Sequence, residues 1–143
     1  MSVFVDTDVF YAAHDEASER HENAIDGLRR IVAGEYGAVY TSDYVLDETV
    51  TLVRSRTDSV DAPRTVADRL LGRGEFPEAL QLLIVDRERV QRTLATVERY
   101  ADHDLSFTDA STVALVEDER IDRVCSFDDD FDGIVDRLVP WAQ

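Results

Sequence analysis

The sequence predicts an α/β chain: a three-layer α/β/α sandwich around a central, mostly parallel sheet. Three observations carry this. Strand-like and helix-like signals alternate from one end of the chain to the other. The strand-like segments are apolar runs of four to six residues separated by helical stretches of ten or more, the pattern of parallel strands covered on both faces. With 143 residues, 44% of them apolar and 32% charged, the chain also has enough material for a packed interior.

Taken in order, Val3 to Val5 is a short buried strand. A helix is expected over Ala17 to Ala33, where Ala24, Leu28 and Ile31 recur at helical spacing, Ser18 is placed to cap its start and Gly34 stands just past its end. Gly37 introduces AVYT, a second strand. The next helix runs from about Ser42 to Arg56, and another runs from Pro63, suited to a first helical position because it has no N–H to lose, to Leu71. GRGEFPEA, residues 72–79, is a connecting loop. LQLLIV is a strand, Arg87 to Tyr100 and Ser106 to Glu119 are helices, DRVCS is a strand and DRLVPW a final one. There are no repeats, and residues 1–143 read as a single domain.

The charge is lopsided. The 31 acids face 15 bases, a formal net charge of −16, and every base is Arg. Acids spread over helix faces, such as Asp15, Glu16, Glu19, Glu22 and Asp26, or Glu117, Asp118 and Glu119, give a heavily hydrated surface whose self-repulsion concentrated salt relieves, which points to a halophilic cytoplasm. Such a field repels polyanions at low salt, so a simple basic-patch binder of nucleic acid is disfavoured, and any such contact needs metal ions and local Arg clusters. Cys125 is the single cysteine, which rules out an intrachain disulfide and suits a reducing interior; within RVCSF it reads as a small buried hydrophobe. No basic leader with a long apolar stretch opens the chain and no run of about 18 apolar residues occurs, so neither export nor membrane insertion is expected.

In open parallel sheets the working crevice lies beyond the carboxyl ends of the strands. Asp6 and Asp8, in VFVDTDVF, stand directly after the first strand; Asp6 or Thr7 could equally cap a helix opening at VFYAA. Glu48 interrupts the apolar stripe of Val45, Leu46, Thr49, Leu52 and Val53, and a carboxylate there calls for a compensating cation, an Arg being the simplest. Asp109, in DLSFTDASTVAL, lies three residues after Ser106, as in a capping box, which also holds an acid rigidly at a helix start. Asp128 leads the run Asp128, Asp129, Asp130 and Asp132 after a late strand, where a solvated loop is the plain alternative. Four carboxylates at one rim need raised pKa values or bound cations, and an oxygen-only set suits Mg²⁺ or Mn²⁺. His14, His21 and His103 lack metal-ligand spacing and are attributed to exposed helix positions, and no GxSxG motif is present.

FVDTD near the start, the DE at residues 47–48, LSFTDA opening a helix and SFDDDF after a late strand together resemble the PIN-domain nucleases, in particular the VapC-type toxins of toxin–antitoxin pairs. The resemblance implies metal-dependent hydrolysis of RNA phosphodiesters. It assigns Asp6, Glu48, Asp109 and Asp128 to the catalytic set, with Asp6, Asp109 and Asp128 holding Mg²⁺ or Mn²⁺ and Glu48 orienting or deprotonating the attacking water. Thr7, Thr108 and Ser126 match small hydroxyl positions. Asp8 stands where many members carry Asn or Ser; with Asp104 and Asp130 it is a supporting acid, and the triple DDD leaves Asp128 and Asp130 competing for the fourth position. Arg54, Arg56, Arg64 and Arg69 are candidates for RNA backbone contacts or for ordinary charge pairing. The same resemblance implies a homodimer and an antitoxin that occludes the site.

Two other classes fit parts of the pattern. A phosphatase of the haloacid-dehalogenase type would use Asp6 as nucleophile and Asp8 as general acid, but that chemistry ordinarily calls for a Lys, and this chain has none. The same objection meets a phosphoaspartate receiver. A non-catalytic binding module would leave the acids to haloadaptation alone.

Overall fold

A computed structural model of the chain describes residues 1–139. Its five strands are β1 (Ser2–Val5), β2 (Ala38–Ser42), β3 (Gln81–Leu83), β4 (Arg123–Cys125) and β5 (Arg137–Leu138). All neighbouring pairs are parallel, in the order β3-β2-β1-β4-β5, so β1 is the central strand. Val3 of β1 faces Val39 of β2 on one side and Arg123 of β4 on the other. Six α-helices connect the strands: α1 (Thr7–His14), α2 (His21–Val32), α3 (Asp43–Arg56), α4 (Asp61–Leu71), α5 (Arg87–Arg99) and α6 (Phe107–Glu119). A 3-10 turn, Asp129–Phe131, follows β4.

The sheet is as apolar as its burial requires. Val3, Phe4 and Val5 are inaccessible to solvent, as are Val124 and Cys125 of β4, and Phe10, Ile31, Val45, Val113 and Phe131 pack against them. Parallel strands need right-handed crossovers, so the helices between β1 and β3 and those between β3 and β4 cover opposite faces. This is the expected α/β/α arrangement. The chain winds outward from β1 to β3 and then returns to β4 on the other side of β1, which puts the topological switch point beside the ends of β1 and β4. Among the described residues no helix is long and apolar enough to cross a membrane.

Helix ends follow local chemistry. The Ser42 hydroxyl accepts the Val45 N–H at 3.1 Å to open α3, and Asp86 accepts the Arg89 N–H at 2.9 Å to open α5. Gly72 closes α4 with φ +69, where a Cβ would come within 2.4 Å of the Glu78 Cα, so no side chain fits.

Several boundaries differ from the sequence reading. The segment VFYAA does lie in a helix, α1, which starts immediately after Asp6. The expected helix over Ala17 to Ala33 begins only at His21: the Asp15 carboxylate accepts the Ala17 N–H at 3.0 Å and Ser18 Oγ accepts the Arg20 N–H at 3.1 Å, so Ser18 stabilises a preceding turn rather than capping the helix. Helix α4 starts two residues before Pro63, because the Ser59 hydroxyl accepts the N–H groups of Asp61 and Ala62. LQLLIV leaves the sheet after Leu83, since the Val85 N–H is taken by Asp43 Oδ1 at 3.0 Å. DRLVPW pairs only at Arg137 and Leu138; Pro140 and Trp141 lie outside the described residues. The histidines are half-buried rather than exposed, with His21 Nδ1 donating to the Ala12 carbonyl at 2.9 Å.

Candidate active site

The carboxyl rim of the sheet carries an open pocket of about 390 Å³, to which β1, α1, α3, α6 and the segment after β4 all contribute. Its walls include the acids Asp6, Asp8, Glu48, Asp109 and Asp128. Thr7, Tyr11, Arg56 and Ser106 complete the polar lining. The four acids to which the sequence points, up to 122 positions apart between Asp6 and Asp128, therefore face one space.

Asp6 occupies the position just before α1 but its side chain makes no cap bond, so the capping alternative does not hold. It is instead turned to the switch point, only 4% exposed, where Asp6 Oδ2 accepts from Ser126 Oγ at 2.8 Å. Among the described residues its other oxygen, Oδ1, is buried with no hydrogen-bond partner, as is Thr7 Oγ1. An orphaned buried carboxylate oxygen is costly unless something outside the chain meets it.

Ser126 organises the cluster. Its hydroxyl lies within reach of Asp6 and, at 3.1 Å, of Asp8 Oδ2, and it accepts the Asp128 N–H at 3.0 Å. A hydroxyl has one proton to donate, so it cannot satisfy both carboxylates at once in their ionised forms. Asp8 is further held by the Phe127 N–H at 3.1 Å. Burial pushes Asp6 well above the ordinary carboxylate range, the charges of Asp8 and Asp109 push it further, and the Ser126 bond opposes them. Asp8 is raised by burial too, against the hydrogen bonds from Phe127 and Ser126.

Asp109 fulfils both roles expected of it. Ser106 Oγ accepts its N–H at 3.0 Å and its own Oδ2 accepts the Ser106 N–H at 3.3 Å, a complete capping box. Burial nevertheless lifts Asp109 to about 6, with the capping bonds lowering it and the charges of Asp128 and Glu48 raising it. Glu48 is half-buried on α3 beside the buried Val45, Thr49 and Val53. Among the described residues no Arg lies within ion-pair distance of it, so the compensating salt bridge is not formed. Thr108 is half-buried, and its carbonyl accepts from Ser111 Oγ at 2.6 Å.

After β4, Asp128 lines the pocket whereas Asp130 is exposed at its edge, its N–H donated to Asp128 Oδ1 at 2.9 Å. Carboxylate oxygens of Asp128, Asp129 and Asp130 lie within 4.8 Å of one another. The charge of Asp128, then burial and Asp129, raises Asp130 above its usual value. Asp104 is exposed and does not line the pocket, though its charge reaches Asp130. Of the Arg candidates only Arg56 is at the pocket; Arg69 stacks on Phe76 elsewhere, and Arg54 and Arg64 are exposed. Tyr11, one helical turn beyond Thr7 and Asp8 on α1, belongs to none of the sequence motifs, although its spacing places it on their face. Cys125 is buried, and burial followed by the charges of Asp8 and Asp6 pushes its thiol well up, so it is no nucleophile.

The donor set tests well for a hard cation. It offers carboxylate oxygens, one of them buried and unpartnered among the described residues, and burial, followed by the repulsion of neighbouring acids, raises the proton affinities of Asp6, Asp8 and Asp109.

Comparison with known proteins agrees with this fold. A VapC ribonuclease of Archaeoglobus fulgidus is 23% identical over 132 residues, 92% of this chain and 80% of that protein. The 23S rRNA-specific endonuclease VapC20 of Mycobacterium tuberculosis is 28% identical over 129 residues, 90% of this chain and 91% of the relative. The crystal structure of VapC20, described as a sarcin-ricin loop cleaving toxin, superposes with a TM-score of 0.76 over 93% of this chain and 96% of that one. VapBC2 of Rickettsia felis, solved bound to a promoter DNA fragment, shares the fold at a TM-score of 0.70 and 13% identity, over 96% of this chain and 98% of that one. The PIN domain profile matches residues 3–136, from the second residue of β1 to just short of β5 and so across the whole acid pocket, and the chain belongs to the PIN domain family.

Proposed function

We propose that this chain is a metal-dependent endoribonuclease, the toxin component of a VapBC-type toxin–antitoxin pair. One observation carries the reading: acids from separate segments face one pocket without an ion-paired cation among the described residues, and a buried oxygen of Asp6 lacks any partner. The named activities of VapC relatives at 23% and 28% identity support an RNA substrate. A homodimer and an antitoxin partner belong to the same proposal, the latter supported by the solved toxin–antitoxin neighbours. Neither the family profile nor the relatives support a phosphatase or a non-catalytic module.

In this reading Asp6, Asp109 and Asp128 hold Mg²⁺ or Mn²⁺. When bound, the cation lowers the pKa of water and offsets negative charge developing on the phosphodiester. Glu48 orients the attacking water and takes its proton. Ser126 keeps Asp6 and Asp8 in place, Thr7 lines the pocket beside them, Asp8 and Asp130 shape the field around the pocket, and Thr108 fixes the first turn of α6 that presents Asp109. Asp104 acts at longer range, through Asp130.

The test is cleavage of a labelled RNA panel with Mg²⁺ or Mn²⁺ at several salt concentrations, beside Asp6→Asn. The expected result is cleavage that needs added metal and is lost in the variant by at least about a hundredfold. Equal cleavage by both proteins overturns the assignment.

A further inference from the structure

The nuclease reading leaves an electrostatic problem: a chain of net charge −16 with an acid pocket has to hold a polyanion. Six of the fifteen arginines do not help, because acids already occupy them. Arg30, Arg73, Arg89, Arg92, Arg99 and Arg137 each pair with a neighbouring carboxylate. Arg56 at the pocket and Arg20 near its edge are treated differently. Arg56, the last residue of α3, lies over the Tyr11 ring, 5.0 Å from its centroid, and both line the pocket. Arg20, in the turn before α2, lies over the Phe127 ring at 4.7 Å, and its charge is felt by Asp8.

Among the described residues neither guanidinium has a carboxylate within 4.0 Å or donates a hydrogen bond. An aromatic face holds a guanidinium by its flat side and leaves the N–H edge uncommitted, the edge that grips phosphate oxygens in a fork. Stacking alone does not mark such a site, since Arg69 on Phe76 and Arg99 on Tyr100 stack as well. Placement does: Arg56 shares the pocket wall with Asp6 and Glu48, and Arg20 sits beside Asp8.

We infer that Arg56 on Tyr11 and Arg20 on Phe127 are positioning residues that grip backbone phosphates of the RNA flanking the scissile bond. The inference rests on the nuclease reading. The two rings act as splints, keeping the cations near the acids without letting them collapse onto the carboxylates.

The experiment is steady-state cleavage, with Mn²⁺ and over a salt series, of an RNA that the wild-type protein cleaves, comparing Arg56→Gln, Arg56→Lys, Arg20→Gln and the control Arg99→Gln. Arg56→Gln is expected to raise KM about tenfold, the loss of one charge-assisted phosphate contact, with kcat within about twofold. Its plot of log kcat/KM against log salt should be shallower by about 0.7 to 0.9, one phosphate contact fewer, and Arg20→Gln should show the same change. Arg56→Lys should keep the salt slope while raising KM, because the charge survives and the stacked fork does not. Arg99→Gln should match wild type. Unchanged KM and salt slope in both Gln variants, or a fall in kcat with KM unchanged, overturns this assignment while leaving the nuclease standing. A wild-type protein that cleaves no RNA in the panel overturns both.

Discussion

The groove between α5 and α6 and the pocket at the sheet rim both gather acids, and they treat them in opposite ways. On the outer surface Asp118 receives hydrogen bonds from Arg89 and Arg92, Glu119 from Arg89, and Arg99 stands near Glu117. Against a burial penalty, the bonds from Arg92 and Arg89 hold Asp118 below its ordinary value. At the rim, burial without an ion-paired Arg holds Asp6, Asp8 and Asp109 above theirs. The residue type is the same and the available arginines are the same, so what differs is where the fold lets a guanidinium go. Two arginines reach the pocket's neighbourhood and are laid on aromatic rings instead of carboxylates. Acidity in one region is neutralised surface; in the other it is negative charge that the chain itself leaves uncompensated.

The strongest way to sharpen the contrast is to remove one charge from each region. Glu48→Gln keeps the shape of the side chain and removes the proton acceptor, so kcat for RNA cleavage should fall by about 10² to 10³, the range of a lost general base. Arg92→Gln, which unbalances the surface network, should leave kcat unchanged. A Glu48→Gln protein with wild-type kcat would remove the proton-taking role from α3.

Metal should separate the regions by thermal stability. A cation that binds only the folded pocket adds about 2.7 kcal/mol at a hundred times its Kd, which for a chain of this size raises Tm by about 5 to 10 °C. Mn²⁺ added at constant ionic strength should produce that shift in wild type, and Asp6→Asn should abolish it. A shift that survives Asp6→Asn would place the cation on the Asp128, Asp129 and Asp130 cluster at the pocket edge.

Much of the fold and of the acid set is legible in the amino-acid sequence, and the reason is local. The first strand and the acid after it are adjacent in the chain, and the Ser106 and Asp109 capping box is complete within four residues. Alternation of apolar runs with helical stretches is enough to indicate the parallel sandwich. What escapes the sequence depends on partners far apart along the chain. Ser126 reaches Asp6 across 120 positions, and that bond is what turns Asp6 away from the helix it precedes. Arg20 on Phe127 and Arg56 on Tyr11 are likewise meetings of distant segments, with no periodicity to announce them. The late start of α2 is hidden for a different reason: Asp15 and Ser18 can serve either a turn or a helix cap, and only the hydrogen bonds actually made decide between them.

The smallest expected effects test the comparison by pH, and their signs are opposite. Asp109 has its folded pKa raised from 3.8 to about 6, so the folded state binds its proton more tightly than the unfolded chain does. Ionising it therefore costs stability in full above about pH 6, and the cost disappears below about pH 4. Asp109→Asn removes that cost while its amide oxygen can still accept the Ser106 N–H, so metal-free Asp109→Asn should melt a few degrees above wild type at pH 7 and level with it at pH 4. Asp118 runs the other way, because its folded pKa is depressed by Arg92 and Arg89. Its contribution is present above the unfolded value and is lost as pH falls through the folded one. Arg89→Gln should accordingly lower Tm at pH 7 by only about 1 to 3 °C, the scale of exposed ion pairs, with the deficit shrinking in high salt and again toward low pH. Thermal melts of both variants from about pH 2 to 8 should thus converge on wild type from opposite sides as pH falls, Asp109→Asn by about pH 4 and Arg89→Gln only below it. Two curves displaced in the same direction at pH 7 would mean that the pocket acids are neutralised within the chain after all, and that the rim and the outer groove are one kind of surface.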